Sequence, residues 1–332
     1  MLENSSILLT GGTGSFGHAF VPMTLERYNP RRLVIYSRGE MQQWEMAKKY
    51  GRDPRVRFFI GDVRDRDRLY RALDGVDFVV HAAAANIVPT AEYNPFECVQ
   101  TNVMGAMNLI DACIDQGVKR VVALSTDKAS SPVNLYGATK LVSDKLFVAG
   151  NSYVGVHQTR FAAVRYGNVM GSRGSVIPFL LSLNDRSKLP ITDARMTRFM
   201  ITVEQGVELV WHAFSDMEGG EIYVRKIPSM RVTDIALAIA PNAEHEIVGI
   251  RPGEKLHEQM IGIEDANHTY EYDDYFKILP AINNWSEDPN RIKGGGRVPE
   301  GFVYTSDTNT AWMTLDELRT WIRDNREMIG RH

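Results

Sequence analysis

Short apolar, β-branched runs alternate with stretches of helical period through the first half of the chain. Residues 7–10, 32–36, 56–60, 78–81, 121–124 and 162–166 read as strands. Their near-continuous apolarity suits a sheet buried on both faces. The gaps between them carry helix signals. Asn94-Pro95 reads as an N-cap followed by proline in the first turn, and Gly117 closes that helix. Such alternation predicts an α/β fold with a Rossmann-like, doubly wound parallel sheet.

After about residue 167 the rhythm changes. Residues 171–178 read as a loop feeding a short helix, 202–215 as a helix, and 222–224 as a strand. A short helix over 233–240 stops at Pro241. Thr314 and Glu317 form a capping box, and Leu315, Leu318, Trp321 and Ile322 make the apolar stripe of a last helix. Residues 264–300 are polar and aromatic, with a glycine loop at 294–296. The pattern predicts a Rossmann domain over 1–170 plus about 196–228. A smaller mixed α/β substrate domain takes 171–195 and 229–332.

Composition narrows the partners. The 332 residues suit one large or two modest domains, and 44% hydrophobic with 24% charged residues is ordinary for a soluble protein. A net charge of −3 gives no basis for nucleic acid or an anionic membrane as partner, so a phosphate-bearing ligand needs a local site. No apolar run approaches membrane-spanning length, and residues 1–6 lack the basic start of a signal peptide. Cys98 and Cys113 show neither disulfide nor metal-ligand spacing. A reduced, cytoplasmic setting and no metal are expected.

Two regions carry chemistry. Gly11-Gly-Thr13-Gly14-Ser15-Phe16-Gly17 stands between the first strand and the first helix. Glycines there permit a tight turn and let the backbone approach a pyrophosphate at the helix N-terminus. The second strand ends in Ser37-Arg38, with no acid before Glu40. An acid there would accept from a ribose 2′-hydroxyl, whereas Arg and hydroxyl groups suit a 2′-phosphate, so NADP is the expected cofactor. Asp62-Val63, after the third strand, is placed to meet the adenine side, and Asp62 could equally cap the next helix.

The second region is Ser125-Thr126-Asp127-Lys128 with Tyr136-Gly-Ala-Thr-Lys140. Tyr136 and Lys140 share a helix face, and an ammonium beside a phenol favours the phenolate. Tyr136 is thus expected to act as a base near neutral pH. Asp127-Lys128 sets a second acid beside an amine. Tyr-x-x-x-Lys alone is a common accident of surface helices, and Asp-Lys alone is usually a solvated pair; the glycine motif in the same chain gives both their weight.

Taken together, Thr10–Gly17, Ser125–Ala129 and Tyr136–Lys140 resemble the extended short-chain dehydrogenase/reductases. More narrowly, they resemble the inverting UDP-N-acetylglucosamine 4,6-dehydratases of pseudaminic acid biosynthesis. Ala91-Glu-Tyr-Asn-Pro95, Arg165-Tyr-Gly-Asn168, Arg251-Pro-Gly-Glu254-Lys255 and His257-Glu258 fit the same pattern. The likeness runs from residue 5 to about 262 and returns near 304–312.

The resemblance implies three steps. Tyr136, assisted by Lys140 and Thr126, takes the proton of the sugar 4-hydroxyl during oxidation at C4. Lys128, its pKa lowered by burial or neighbours, removes the C5 proton, and Asp127 protonates the departing C6 hydroxyl. Hydride then returns to C6. Ala82 and Ala83 join the cofactor contacts. Arg173, the backbone at Ser175-Val176, Arg251, Glu254 and Asn168 are offered to a UDP-sugar. Arg251-Pro-Gly also reads as a simple turn, and Glu254 as a first-turn helix acid. Asn102 and Asn168 suit either ligand orientation or structure, while His81 reads as a satisfied core histidine. Relatives pair through helices matching 95–116 and 134–150, so a homo-oligomer, dimer or hexamer, is expected.

One departure stands out. Where the family reads Ala-Ala-Ala-Leu-Lys-His-Val-Pro, this chain has Ala82-Ala-Ala-Ala85-Asn86-Ile87-Val88-Pro89. Two readings compete with the dehydratase: a sugar-nucleotide 4-epimerase or reductase, and a catalytically silent NADP-binding protein. A reductase would consume NADPH stoichiometrically; a silent relative would retain cofactor and turn over no nucleotide sugar.

Overall fold

The computed structural model describes residues 1–329. Its first half is the predicted alternation: β1 (Ser6–Thr10), α1 (Ser15–Tyr28), β2 (Arg32–Ser37), α2 (Glu40–Tyr50), β3 (Val56–Ile60) and α3 (Arg66–Ala72). There follow β4 (Phe78–His81), α4 (Val88–Tyr93), α5 (Pro95–Val99), α6 (Gly105–Asp115), β5 (Arg120–Leu124), α7 (Leu135–Gly150) and β6 (Arg160–Arg165). The strands lie in the order β3-β2-β1-β4-β5-β6, all parallel. That order reverses between β1 and β4, where a doubly wound sheet opens a crevice at the carboxyl ends of its strands. Every residue of β1 and β4 is buried, as burial on both faces requires.

Three features were not visible in the pattern. The strand Ile222–Arg225 continues the parallel sheet beside β6, but Tyr275–Ile278, Thr269–Glu271 and Gly296–Arg297 then extend it antiparallel to ten strands. The polar, aromatic stretch is therefore partly sheet, held by a buried Lys277 whose Nζ lies 2.6 Å from Asp216 Oδ2. Small sheets join distant segments: Ser229–Arg231 with Thr197–Ile201 and Asn168–Val169, and Gln259–Ile261 with Tyr304–Thr305.

The helix expected over 95–116 is broken. A π-helical turn, Gln100–Met104, separates α5 from α6. The buried Asn102 inside it donates through Nδ2 to Ala85 O (3.0 Å) and Thr139 Oγ1 (3.0 Å), and its Oδ1 accepts from Ala85 N (2.8 Å). The wider turn lets this side chain clamp the loop after β4 to α7. Asn102 is thus a structural hydrogen-bonder. Asn94 does not cap α5 with its side chain, which donates instead to Thr90 O. The last helix, Leu315–Asp324, carries the expected capping box and buries Leu318.

Candidate active site

The glycine loop brings backbone to backbone. Gly11 has φ +66°, and a Cβ there would fall 2.8 Å from Ala83 N; on Gly17 it would fall 1.9 Å from Gly12 O. Only glycine fits either place. Gly14 is exposed at the N-cap of α1 with no side-chain cap, and a Cβ on it would meet only Gly11 O, at 3.3 Å. The first turn of α1 therefore begins at an exposed glycine beside Thr13, Ser15 and Phe16, with Ala82 and Ala83 packed against Gly11. Ala83 N is fixed by Thr10 Oγ1 at 3.2 Å.

At the other end of this crevice, Ser37 is buried and its hydroxyl accepts from Gln43 Nε2 (3.0 Å). Arg38 is 60% exposed, 3.7 Å from Asp62 Oδ2. Asp62 is held below the usual carboxylate range: burial would raise it, but its hydrogen bonds from Arg64 and the nearby Arg38 charge outweigh burial. The cap of α3 is Asp65, which accepts from Arg68 N; Asp62 is not the cap. Val63 is buried against Gly105, and its carbonyl accepts from Asn108 Nδ2 (3.2 Å).

The reactive groups gather where β5 and β6 end. Thr126 caps the turn Asp127–Ala129, accepting from Lys128 N (3.3 Å) and donating to Asp127 Oδ1 (3.0 Å). Asp127 N is tied to Tyr166 O (3.2 Å), which fixes the turn to the end of β6. Lys128 Nζ donates to Asp127 Oδ1 at 3.1 Å and lies 3.4 Å from Glu258 Oε1. Asp127 Oδ2 and Glu258 Oε2 are both buried without a partner among the described residues. A Cβ on Gly167 would lie 3.4 Å from Asp127 Oδ2, so this glycine sets the next residue, Asn168, beside the acid. Asn168 Oδ1 is likewise buried and unpartnered.

Electrostatics here depart from the sequence expectation. Burial raises the Asp127 carboxyl; Glu258 adds to the rise and Lys128 opposes it. Burial pulls Lys128 down, but the Asp127 and Glu258 carboxylates outweigh it and hold the ammonium above its ordinary value. Lys128 is therefore not pre-set as a free amine. Tyr136 is corrected as well: burial pushes the phenol up to about 12, against the pull of Lys128 and Thr126, so it rests protonated at neutral pH. The charge that favours its phenolate is Lys128, from the neighbouring turn, rather than Lys140 four residues along the helix.

Lys140 itself is lowered by burial and partly restored by Asp144. It is 4% exposed, and its ammonium makes no hydrogen bond or ion pair among the described residues. An ammonium on a buried residue, with no hydrogen bond among the described residues, has donors left for a ligand. Together with the open α1 N-terminus and the glycine-lined floor, it fits a nicotinamide dinucleotide. His81 is the satisfied core histidine expected: its Nδ1 meets Thr10 Oγ1 at 2.8 Å, and burial, then Lys140, push it down to about 3.

The substrate candidates divide. The loop 251–255 docks on the catalytic helix: Asn134 Nδ2 donates to Gly253 O (2.7 Å), while its Oδ1 caps α7 through Gly137 N (2.7 Å). Lys255 Nζ reaches Ser130 O. Arg251 is 62% exposed, with Nε 3.5 Å from Glu254 Oε1, so the two are paired at the rim. Arg173 is exposed on the turn before the helix Val176–Ser182, and its side chain makes no contact tying it to Asp127 or Tyr136. Asn86 and Ile87 stand exposed at the start of α4. In the sequence Glu258 stands beside His257 with no role legible from its neighbours. Its meeting with Lys128 spans 130 positions of sequence, so spacing carries no sign of it.

Residues 7–280 match the model of the polysaccharide biosynthesis protein family. The chain is 54% identical to the UDP-N-acetylglucosamine 4,6-dehydratase (inverting) of Campylobacter jejuni, over 96% of this chain and 97% of that one. It is 36% identical to the UDP-glucose 4-epimerase of Rickettsia canadensis, over 96% and 95%. Among solved structures, Pen from Bacillus thuringiensis superposes with a TM-score of 0.89 at 34% identity, covering 99% of each chain. The dTDP-glucose 4,6-dehydratase DesIV of Streptomyces venezuelae, solved as a double mutant with NAD bound, superposes at 0.67 and 26% identity, over 75% and 86%. The chain belongs to the polysaccharide biosynthesis protein family, on the short-chain dehydrogenase/reductase fold.

Proposed function

We propose that this protein converts UDP-N-acetylglucosamine to a UDP-2-acetamido-2,6-dideoxy-4-hexulose by 4,6-dehydration with inversion at C5, in the route to pseudaminic acid. The observation that carries this is one cluster, buried at Asp127 and Lys140 and half-buried at Tyr136 and Lys128, that holds both an oxidation pair, Tyr136 with Lys140, and an elimination pair, Asp127 with Lys128. A 4-epimerase needs only the first pair. The 54% identity to a dehydratase, against 36% to an epimerase, points the same way.

NADP is the cofactor that the end of β2 favours, because Arg38 is exposed there and no acid precedes Glu40. When bound, it supplies the acceptor for the C4 hydride, carries a positive charge in that state, and returns the hydride to C6. Gly11, Thr13, Gly14, Ser15, Phe16, Gly17, Ala82 and Ala83 would hold its pyrophosphate end; Ser37, Arg38, Asp62 and Val63 its adenosine end.

Tyr136 takes the proton of the C4 hydroxyl; Lys128 is the charge that favours the phenolate this requires, and Lys140, one turn along the same helix face, is assigned with Tyr136 to the cofactor. Lys128 enters as an ammonium and must shed a proton before it can take one from C5. Asp127 Oδ1, 3.1 Å away, is the acceptor in reach. That transfer creates an amine for C5 and a carboxylic acid for the C6 hydroxyl together, as loss of water demands. Asn168, Val176, Arg173, Arg251 and Glu254 are assigned to the nucleotide sugar. The sheet half of the chain, with 196–228, then serves the cofactor, and 171–195 with 229–332 serves the substrate, although strands within 269–297 also complete the main sheet.

Tyr93 and Phe96 are 88% and 84% exposed on α4 and α5, and Met104, Met107 and Val142 are exposed within 95–116 and 134–150, the segments through which relatives pair. A homo-oligomer joined along α4 to α7 would cover them. Two buried free thiols, Cys98 and Cys113, suit a cytoplasmic setting. Incubation with UDP-N-acetylglucosamine, followed by mass spectrometry, tests the activity. Loss of one water supports it; a C4 epimer of unchanged mass supports the epimerase instead.

A further inference from the structure

Glu258 is a buried carboxylate that neither oxidation nor elimination uses. It is 3% exposed and stands just before the strand Gln259–Ile261, whose partner is Tyr304–Thr305. Its backbone is held on both sides by one residue: Ser306 Oγ accepts from Glu258 N (2.9 Å), and Ser306 N donates to Glu258 O (2.8 Å). Ser306 Oγ in turn meets Thr197 Oγ1 at 2.7 Å, and Thr197 Oγ1 meets His257 Nδ1 at 2.8 Å. The carboxylate is therefore delivered to the cluster on a fixed frame. Oε1 lies 3.4 Å from Lys128 Nζ and 3.9 Å from Arg198 Nε, while Oε2 is buried with no partner among the described residues.

We propose that Glu258 is a positioning residue of the water-loss step: it holds the Lys128 ammonium between two carboxylates and so sets the protonation of the Asp127–Lys128 pair. This rests on the dehydratase reading above. The charged and titratable groups around Glu258 are Asp127 and Lys128 on the turn after β5, Arg198 on the strand Thr197–Ile201, and Lys255 on the preceding loop; Tyr136 on α7 stands on the far side, facing Asp127 and Lys128. Burial works to protonate Glu258, but Lys128, Arg198 and Lys255 outweigh it and keep it ionised. Its negative charge then acts on both members of the pair in one direction. It disfavours a second carboxylate at Asp127 and favours the ammonium at Lys128, so both release protons at higher pH than they would alone. Removing that charge lowers both together.

The test compares Glu258→Gln and Glu258→Asp with the unaltered protein. Water loss from UDP-N-acetylglucosamine is measured by mass spectrometry across pH, and C4 oxidation separately by the absorbance of reduced cofactor. Glu258→Gln keeps the side chain's size and one acceptor but no charge. Its bell-shaped profile for water loss is expected to move as a whole to lower pH, by about one unit, while C4 oxidation persists. Glu258→Asp, which restores the charge, should return the profile most of the way. A uniform drop at every pH with both limbs in place would overturn the proposal and leave Glu258 a structural residue, as would an unmoved profile. Failure of the unaltered protein to dehydrate the sugar would instead strike the dehydratase reading, on which this proposal depends.

Discussion

At the scale of single residues, two pairs divide the chemistry. Tyr136→Phe removes the group that takes the C4 proton and should abolish cofactor reduction on adding the sugar. Lys128→Ala should leave that reduction measurable and stop water loss. Asp127→Asn keeps the shape of the acid without its proton, and water loss should fall about 10²–10⁴-fold. Reduction that survives in Tyr136→Phe would show that the roles are assigned wrongly. His81 offers a separate check on the folded state. Its native pKa is depressed to about 3 from 6.5, so the unfolded chain binds a proton that the native one refuses. Stability should therefore fall as pH drops below about 6.5 and go on falling towards about 3. In His81→Asn, denaturant melts should lose that part of the acid slope; an unchanged slope would place the acid sensitivity elsewhere. The residue identities at 126–140 were legible in the sequence. Their charge states were not, because these depend on Glu258 and on burial, which only the folded cluster supplies.

Elements place those residues, and one side chain joins two of them. Asn134 caps α7 two residues before Tyr136 and also holds Gly253 in the substrate loop. Asn134→Ala should cost roughly 1 kcal/mol for the lost cap, and should raise KM for the nucleotide sugar as the loop comes free. Thermal melts and steady-state kinetics read the two effects separately; an unchanged KM would sever the loop from binding. Gly17→Ala forces a Cβ to within 1.9 Å of Gly12 O and should abolish retained cofactor, seen as loss of dinucleotide from the purified protein. Strands β1 to β6 were readable because each is a short apolar run. The break of the 95–116 helix was not, since the π turn exists to aim Asn102 at Ala85 and Thr139, contacts that lie far off in sequence. The antiparallel extension of the sheet hid for a similar reason: its strands are short, polar and aromatic, and the Lys277–Asp216 pair that accompanies them joins residues 61 positions apart.

For the whole molecule, a parallel, doubly wound sheet followed from the alternation, while the strand order and the small sheets beyond residue 167 did not, as they depend on segments tens of residues apart. The exposed apolar residues on α4 and α5 belong to this scale. Phe96→Glu should shift the oligomer towards monomer in light scattering, and an unchanged mass would move the interface elsewhere. The account as a whole turns on two reactions sharing one buried cluster. The most direct measurement is mass spectrometry and NMR of UDP-N-acetylglucosamine incubated with the purified protein in deuterated water, without added cofactor. The account predicts a product lighter by one water, carrying one deuterium at C5 with that centre inverted. A product of unchanged mass, whether epimerised at C4 or not, would contradict it.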